Sequence, residues 1–322
     1  MPFPYNAQLN ILQKTFEDIR NMKIRGAGRI ARVTVKALEE YSSELDIETK
    51  DEFKKKIEQA GKYLKTARPT AVSLPNAINY VVTNFEKGIS NSSDMRKPKE
   101  ILRSCCEDFI KRSELAVKKI GIIGSKRIQN GDTLLTHCNS QAAISVIMTA
   151  YRQGKKIKVF CTETRPKGQG LQTSSALAKE GVDVTLIVDS SVRWFMNKID
   201  KVIVGADAIS ANGAVVNKIG TSTVALAAKE ARSRFMVAAE SYKISPQTFM
   251  GELIPIEKRS SEEIISKDWI RRNPNVKVVN PAFDITPPEY IDLIITEFGV
   301  FPPQCILLLY KEIYGFADLF EK

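Results

Sequence analysis

Two hydrophobic textures follow one another along the chain. From about Asn6 to Ile120 the apolar residues recur at helical spacing. Leu9, Ile11, Leu12, Phe16, Ile19 and Met22 make one stripe. Ile30, Val33, Val35, Leu38 and Tyr41 make a second beyond an interruption at Gly26 and Gly28. Phe53, Ile57, Ala60 and Leu64 form a third, and Ile78, Tyr80, Val81 and Phe85 a fourth after Pro75. Ile101, Cys105, Phe109 and Ile110 lead a long helix toward Ile120. Spacing of three and four residues predicts amphipathic helices throughout. The run Gly88-Ile89-Ser90-Asn91-Ser92-Ser93-Asp94 has the composition of a loop.

After Gly121 short apolar runs alternate with helical windows. Residues 133–137, 157–162, 184–188, 202–205, 235–239 and 293–296 read as buried parallel strands. Residues 142–153, 175–180, 191–197 and 221–231 read as helices between them. Strand alternating with helix is the pattern of a doubly wound sheet. The expected fold is therefore α/β: a helical N-terminal domain over residues 1–120, then a Rossmann-like, doubly wound parallel sheet domain over 121–322. A chain of 322 residues suits about two domains.

Composition narrows the function classes. Hydrophobic residues at 43% and charged residues at 26% are ordinary for a globular protein. No run of about eighteen apolar residues suggests a membrane span, and the N-terminus lacks the basic and apolar segments of a signal peptide. Five cysteines, odd in number and without a CxxC pair, fit a reduced protein of the cytoplasm. A single histidine and no paired cysteines weigh against zinc. A net charge of +11 calls for anionic company, either nucleic acid or a phosphorylated small molecule. No stretch interleaves aromatic with basic residues as a base-stacking surface would, so nucleic acid is disfavoured.

In an open parallel sheet ligands bind beyond the carboxyl ends of the strands. Polar groups stand at four such ends: His137-Cys138-Asn139-Ser140, Thr162-Glu163-Thr164-Arg165, Asp207, and Glu240-Ser241-Tyr242-Lys243. Cys138 lies between a strand and a helix beginning near Ser140, where unpaired N–H groups favour a thiolate able to act as nucleophile or base. Position alone leaves it either that or an inert buried thiol. Cys105, Cys106 and Cys305 lie on apolar helical stripes, and Cys161 inside a strand, so all four read as core. Asp207 could be a general acid with a raised pKa, or a turn or capping aspartate. Asn217-Lys218-Ile219-Gly220-Thr221 precedes a helix and could seat a phosphate. Arg25-Gly26-Ala27-Gly28-Arg29 is either an anion-binding turn or a tight turn between helices with exposed arginines. Arg68-Pro69-Thr70 and Arg165-Pro166-Lys167 are arginine-proline corners, each a held guanidinium or a surface turn. His137 is adjacent to Cys138, and neighbours on a strand point to opposite faces, so a Cys–His dyad is disfavoured.

Taken together these motifs, with Asn280-Pro281-Ala282-Phe283-Asp284-Ile285-Thr286-Pro287, resemble one superfamily over nearly the whole chain. It holds the regulatory subunits of initiation factor 2B, the methylthioribose-1-phosphate isomerases and the archaeal ribose-1,5-bisphosphate isomerases. Gly26-Ala27-Gly28-Arg29-Ile30-Ala31-Arg32, the stretch from Arg68 to Ala77, and Glu240-Ser241-Tyr242-Lys243 are similar to the last branch. That resemblance implies an aldose–ketose isomerase in archaeal AMP and nucleoside degradation, feeding Rubisco. Cys138 corresponds to its proton acceptor and Asp207 to its proton donor. Arg25, Gly26, Ala27, Gly28, Arg68, Ser140, Gln141, Ala142, Asn217, Lys218 and Lys243 correspond to contacts with the sugar bisphosphate. Gln141 stands where some relatives carry a basic residue, so backbone N–H groups would make that phosphate contact. The resemblance also implies no metal or redox cofactor, AMP as activator, and a hexamer built as a trimer of dimers. The rival readings are a methylthioribose-1-phosphate isomerase and a non-catalytic regulatory subunit.

Overall fold

A computed structural model describes residues 10–47, 49–68, 71–90 and 97–314. The chain divides into two compact units, Met1–Leu115 and Ala116–Lys322.

The N-terminal unit is helical. Its helices are α1 (Asn10–Arg20), α2 (Ala27–Glu44), α3 (Lys50–Lys65), α4 (Ser73–Ser90) and the first part of α5 (Pro98–Ser125). On α2, Ile30, Ala31, Thr34, Val35, Leu38 and Tyr41 are buried, one stripe at spacings of three and four residues. Thr49 starts α3 by accepting a hydrogen bond from the Glu52 N–H, and Asp51 and Glu52 lie in the first turn, where the helix dipole favours negative charge. Leu74, Ala77, Ile78, Val81 and Phe85 form the buried face of α4. A Cβ at Gly61 would come within 2.9 Å of Ile78 Cγ2, so glycine lets α3 approach α4. Helix α4 runs through Gly88, Ile89 and Ser90, which the composition had suggested as loop. The ladder of backbone bonds outweighs two weak helix formers at a helix end. The rest of that expected loop, and Pro69 and Thr70, lie outside the described residues.

In the C-terminal unit come β1 (Thr133–Thr136), α6 (Gln141–Arg152), β2 (Lys158–Thr162), α7 (Gln169–Lys179), β3 (Asp183–Ile187), α8 (Val192–Met196) and β4 (Lys201–Val204). Then follow β5 (Ala208–Ile209), β6 (Val215–Lys218), α9 (Thr221–Ala231), β7 (Arg234–Ala238), α10 (Lys267–Arg272), β8 (Phe283–Thr286), β9 (Leu293–Thr296), β10 (Gly299–Phe301) and α11 (Ile306–Tyr314). Seven strands form one sheet in the order β10-β9-β7-β4-β1-β2-β3. All neighbours are parallel except β9 and β10, which pair as an antiparallel hairpin at one edge. The six strands read from the sequence are the parallel ones.

Alternate residues of each strand face opposite sides and meet different helices. Leu135, Val202, Val204, Phe235, Val237 and Ile294 pack with α8, α9 and α11. Leu134, Val159, Cys161, Ile203, Met236 and Ile295 pack with α6 and Leu177 of α7. Burial on both faces explains why these strands read as continuous apolar runs.

The order reverses between β1 and β4. From β1 the chain moves outward through β2 to β3, then returns to β4 on the other side of β1. Such a switch point opens a crevice at the carboxyl ends of the two strands. A second, antiparallel sheet, in the order β5-β6-β8, stands beyond β4.

Candidate active site

Cys138 follows β1 and Asp207 follows β4, so the switch point brings them to neighbouring strand ends. Cys138 is half-buried with φ +69°, a left-handed conformation uncommon for a residue with a Cβ. Its N–H donates to Thr164 Oγ1 at 2.9 Å, and its carbonyl accepts from Thr173 Oγ1 at 2.8 Å. The helix does not begin at the cysteine. Ser140 is the N-cap of α6, its Oγ accepting from the Ala143 N–H at 3.3 Å. Burial pushes the Cys138 thiol up to about 12; Lys218 and the Asn139 N–H pull it down, and Asp207 and Asp189 push it further up. The thiolate favoured by position in the sequence is thus not the resting form. Asp207 is half-buried, and its backbone N–H donates to the Val216 carbonyl at 2.9 Å, which ties it to β6.

The two strand ends touch through Gly205 and Ser140. A Cβ at Gly205 would lie 2.3 Å from Ser140 Oγ and 2.5 Å from its Cβ. Gln141 is exposed and Ala142 buried at the start of α6. Their N–H groups, among the first of the helix, have no intrahelical acceptor, and the helix dipole favours an anion there.

Asn217 and Lys218 end the antiparallel strand β6. Asn217 is buried and its Nδ2 donates to Thr221 Oγ1 at 3.1 Å. Lys218 Nζ sits 4.8 Å from the centroid of the Phe283 ring, a cation–π contact. The α9 N-terminus, read from the sequence as part of a phosphate seat, already holds an anion. Asp284 Oδ2 accepts from the Gly220 N–H at 2.7 Å and the Ser222 N–H at 3.1 Å. Burial raises Asp284 to about 6 against those two bonds, which lower it. Asp284 is opposite Asn217 in the β6–β8 register, so it shares a sheet face with an expected contact residue. Sequence reasoning placed Asp284 in a motif but gave it no role.

Lys243 is buried and paired with Glu240 at 2.7 Å. That Glu240 also accepts from Tyr242 Oη, and Lys243 holds its carboxyl below the usual range despite complete burial. Arg165 is exposed and donates to the Ile264 carbonyl at 3.3 Å. His137 is buried, with Nδ1 against Thr162 Oγ1 at 2.7 Å and Nε2 against the Ile219 carbonyl at 2.9 Å. Both ring nitrogens are engaged away from the thiol, so no Cys–His dyad forms. Burial lowers the His137 pKa, leaving the ring neutral. Cys161 and Cys106 are buried and apolar, as expected, whereas Cys305 lies in a short 3-10 turn at Pro303–Cys305 and not on a helix.

The N-terminal unit carries the other expected contacts. Gly26, with φ +86°, caps α2, and Ala27 and Gly28 are in its first turn. Arg25 is exposed, its Nε donating to the Met22 carbonyl at 2.7 Å. The Ala27 carbonyl accepts from Ser73 Oγ at 2.9 Å. Arg68 is buried, 8% exposed, unusual for a guanidinium and a sign that it is held.

Comparison with known proteins follows this architecture closely. A protein of Methanocaldococcus jannaschii named ribose 1,5-bisphosphate isomerase is 51% identical over 313 residues, 97% of this chain and 98% of the relative. A methylthioribose-1-phosphate isomerase of Thermosipho africanus is 41% identical over 88% of this chain and 85% of its own. The crystal structure of the Pyrococcus horikoshii translation initiation factor eIF-2B superposes with a TM-score of 0.76 at 30% identity, covering 93% of this chain and 98% of that one. The Initiation factor 2 subunit family matches residues 23–303. This chain belongs to that family.

Proposed function

We propose that this isomerase converts ribose 1,5-bisphosphate to ribulose 1,5-bisphosphate, with Cys138 as proton acceptor and Asp207 as proton donor. The observation that carries the reading is the placement of these two groups at adjacent strand ends of the switch point. Identity of 51% to the Methanocaldococcus jannaschii protein supports the choice of substrate.

The phosphate on carbon 1 locks the sugar ring, so the substrate cannot open as a free aldose does. Asp207 protonates the ring oxygen as the bond from carbon 1 to that oxygen breaks. Cys138 takes the proton from carbon 2, which leaves an enol phosphate between carbons 1 and 2. A proton added at carbon 1, with loss of the proton on the carbon-2 hydroxyl, gives the ketose. No electron leaves the substrate overall, and protons balance between the two side chains and solvent. A thiol near 12 is almost wholly protonated at neutral pH. The thiol must therefore give up its proton before it can take the one on carbon 2. Each positioned acid or base contributes about 10²–10⁴-fold.

Ser140, Gln141 and Ala142 at the open end of α6 offer N–H groups to one phosphate. Lys218 and Asn217 offer cationic and amide donors, with Lys243 held by Glu240. Arg25, Gly26, Ala27, Gly28 and Arg68 complete the contacts in this reading. AMP as activator, a homo-oligomer assembled as a trimer of dimers, a cytoplasmic place and a role in AMP breakdown belong to the same proposal. The test supplies ribose 1,5-bisphosphate and methylthioribose 1-phosphate separately and identifies the products. Formation of ribulose 1,5-bisphosphate supports the reading. Conversion of methylthioribose 1-phosphate alone, or of neither, overturns it.

A further inference from the structure

The cysteine's unusual backbone conformation is held from a distance. Cys138 (φ +69°) and Thr164 (φ +60°) are both left-handed without being glycine, and they are bonded to each other. For a β-branched residue such as Thr164 that conformation is an outlier, and it persists only where the surroundings over-determine it. Here they do. The Ile219 carbonyl can only accept, so His137 Nε2 carries the proton, and Nδ1 of the neutral ring must accept. Thr162 Oγ1 therefore donates to Nδ1 at 2.7 Å. Its lone pair then receives the Thr164 hydroxyl proton across 3.1 Å. Thr164 Oγ1 in turn accepts the Cys138 N–H at 2.9 Å. The Thr162 hydroxyl has one possible orientation, and the Thr164 hydroxyl finds its nearer acceptor in Thr162 Oγ1, with the Thr162 carbonyl farther off at 3.4 Å, so the chain runs from the Cys138 amide to Ile219. His137, Thr162 and Thr164 are all buried at 1% exposure or less, so water cannot substitute. At its far end the His137 ring lies against Gly220, where a Cβ would meet Cε1 at 3.1 Å and Nε2 at 3.2 Å. Asp189 anchors the middle, accepting from the Thr164 N–H at 2.8 Å and the Arg165 N–H at 2.7 Å.

We propose that His137, acting through the Thr162 and Thr164 hydroxyls, is the positioning residue that holds Cys138 in place and fixes it against the loop following Lys218. The inference rests on the reading of Cys138 as proton acceptor. It gives the single histidine a role in setting geometry, with no proton passed to the thiol. Thr162 is the sharpest point to cut the chain, because it touches neither Cys138 nor, in the proposed reading, the substrate.

The experiment uses the full chain as Thr162→Val, Thr162→Ser and wild type. Three readouts are taken: steady-state kinetics, the rate of Cys138 alkylation by iodoacetamide, and the nitrogen NMR signals of the one imidazole. Misplacement of a reacting group by about 1 Å costs about 10²-fold. Thr162→Val is expected to lose between about 10- and 100-fold in kcat with little change in KM, and Thr162→Ser to recover most of it. Alkylation of Cys138 is expected to change severalfold in the valine variant and return with serine. The wild-type imidazole is expected as the Nε2–H tautomer. A valine variant that only melts earlier, with wild-type kcat and alkylation rate, overturns the proposal. So does an Nδ1–H tautomer in the wild type. If the wild type converts no ribose 1,5-bisphosphate, the catalytic reading fails instead, and alkylation and tautomer still decide the positioning.

Discussion

Replacing Gly205 with alanine tests whether the switch point holds the two strand ends as tightly as their contacts require. The new Cβ would stand 2.3 Å from Ser140 Oγ and 2.5 Å from Ser140 Cβ. Rotating the hydroxyl relieves only the first contact. The second requires Ser140 itself, and with it the start of α6, to retreat by about 1 Å to reach ordinary packing distance. Overpacking of this kind costs about 1–3 kcal/mol. Displacing Ser140 also weakens its bond to the Ala143 N–H, a cap typically worth ~1 kcal/mol. Gly205→Ala should therefore lose about 2–4 kcal/mol and, because Asp207 and Cys138 flank the contact, about 10²-fold in kcat. Glycine at an N-cap costs only a few tenths of a kcal/mol, so Ser140→Gly removes both clashing atoms cheaply. In a double-mutant cycle by urea unfolding at fixed protomer concentration, the pair should recover about 2–4 kcal/mol relative to additivity. Strict additivity, or a Gly205→Ala variant as stable as wild type, would refute the reasoning.

Two further outcomes follow from burial of titratable groups. Alkylation of Cys138 should rise about tenfold per pH unit from about pH 7 to 9 without a plateau, because the thiolate appears only as pH climbs toward a value near 12; a plateau near neutrality would show a thiolate already formed. Asp284 is raised to about 6, so its folded state favours the proton. Its contribution to stability is fully present below the ordinary carboxylate range near 4 and is lost as pH rises through 6, by up to about 3 kcal/mol. Asp284→Asn keeps an oxygen for the Gly220 and Ser222 amides without the charge. Unfolding of the variant should thus lack that fall between about pH 4 and 7, and a parallel fall would sink the argument.

The parallel sheet was legible because each strand is buried on both faces, and continuous runs such as Leu134-Leu135 and Val202-Ile203-Val204 cannot belong to a solvated surface. Once the strands were fixed, their carboxyl ends named Cys138, Asp207 and Ser140. The small sheet was not legible. Val215–Lys218 pairs with Phe283–Thr286, far apart in sequence, and nothing local in four residues announces so distant a partner. Asn217 and Lys218 were therefore legible only as residues ahead of a helix, and Asp284 was unseen as the anion at the head of α9. A helix N-terminus advertises a place for negative charge without saying whether the protein fills it. The thiolate was misjudged for a related reason. Helix position lowers a thiol's pKa, but burial raises it, and the extent of burial is a property of the whole fold.

If Cys138 and Asp207 carry the proton transfers, turnover of ribose 1,5-bisphosphate must fail in Cys138→Ala and in Asp207→Asn, each checked for wild-type folding. Losses of about 10²–10⁴-fold in kcat are predicted for each. Either variant turning over within a few-fold of wild type would contradict it.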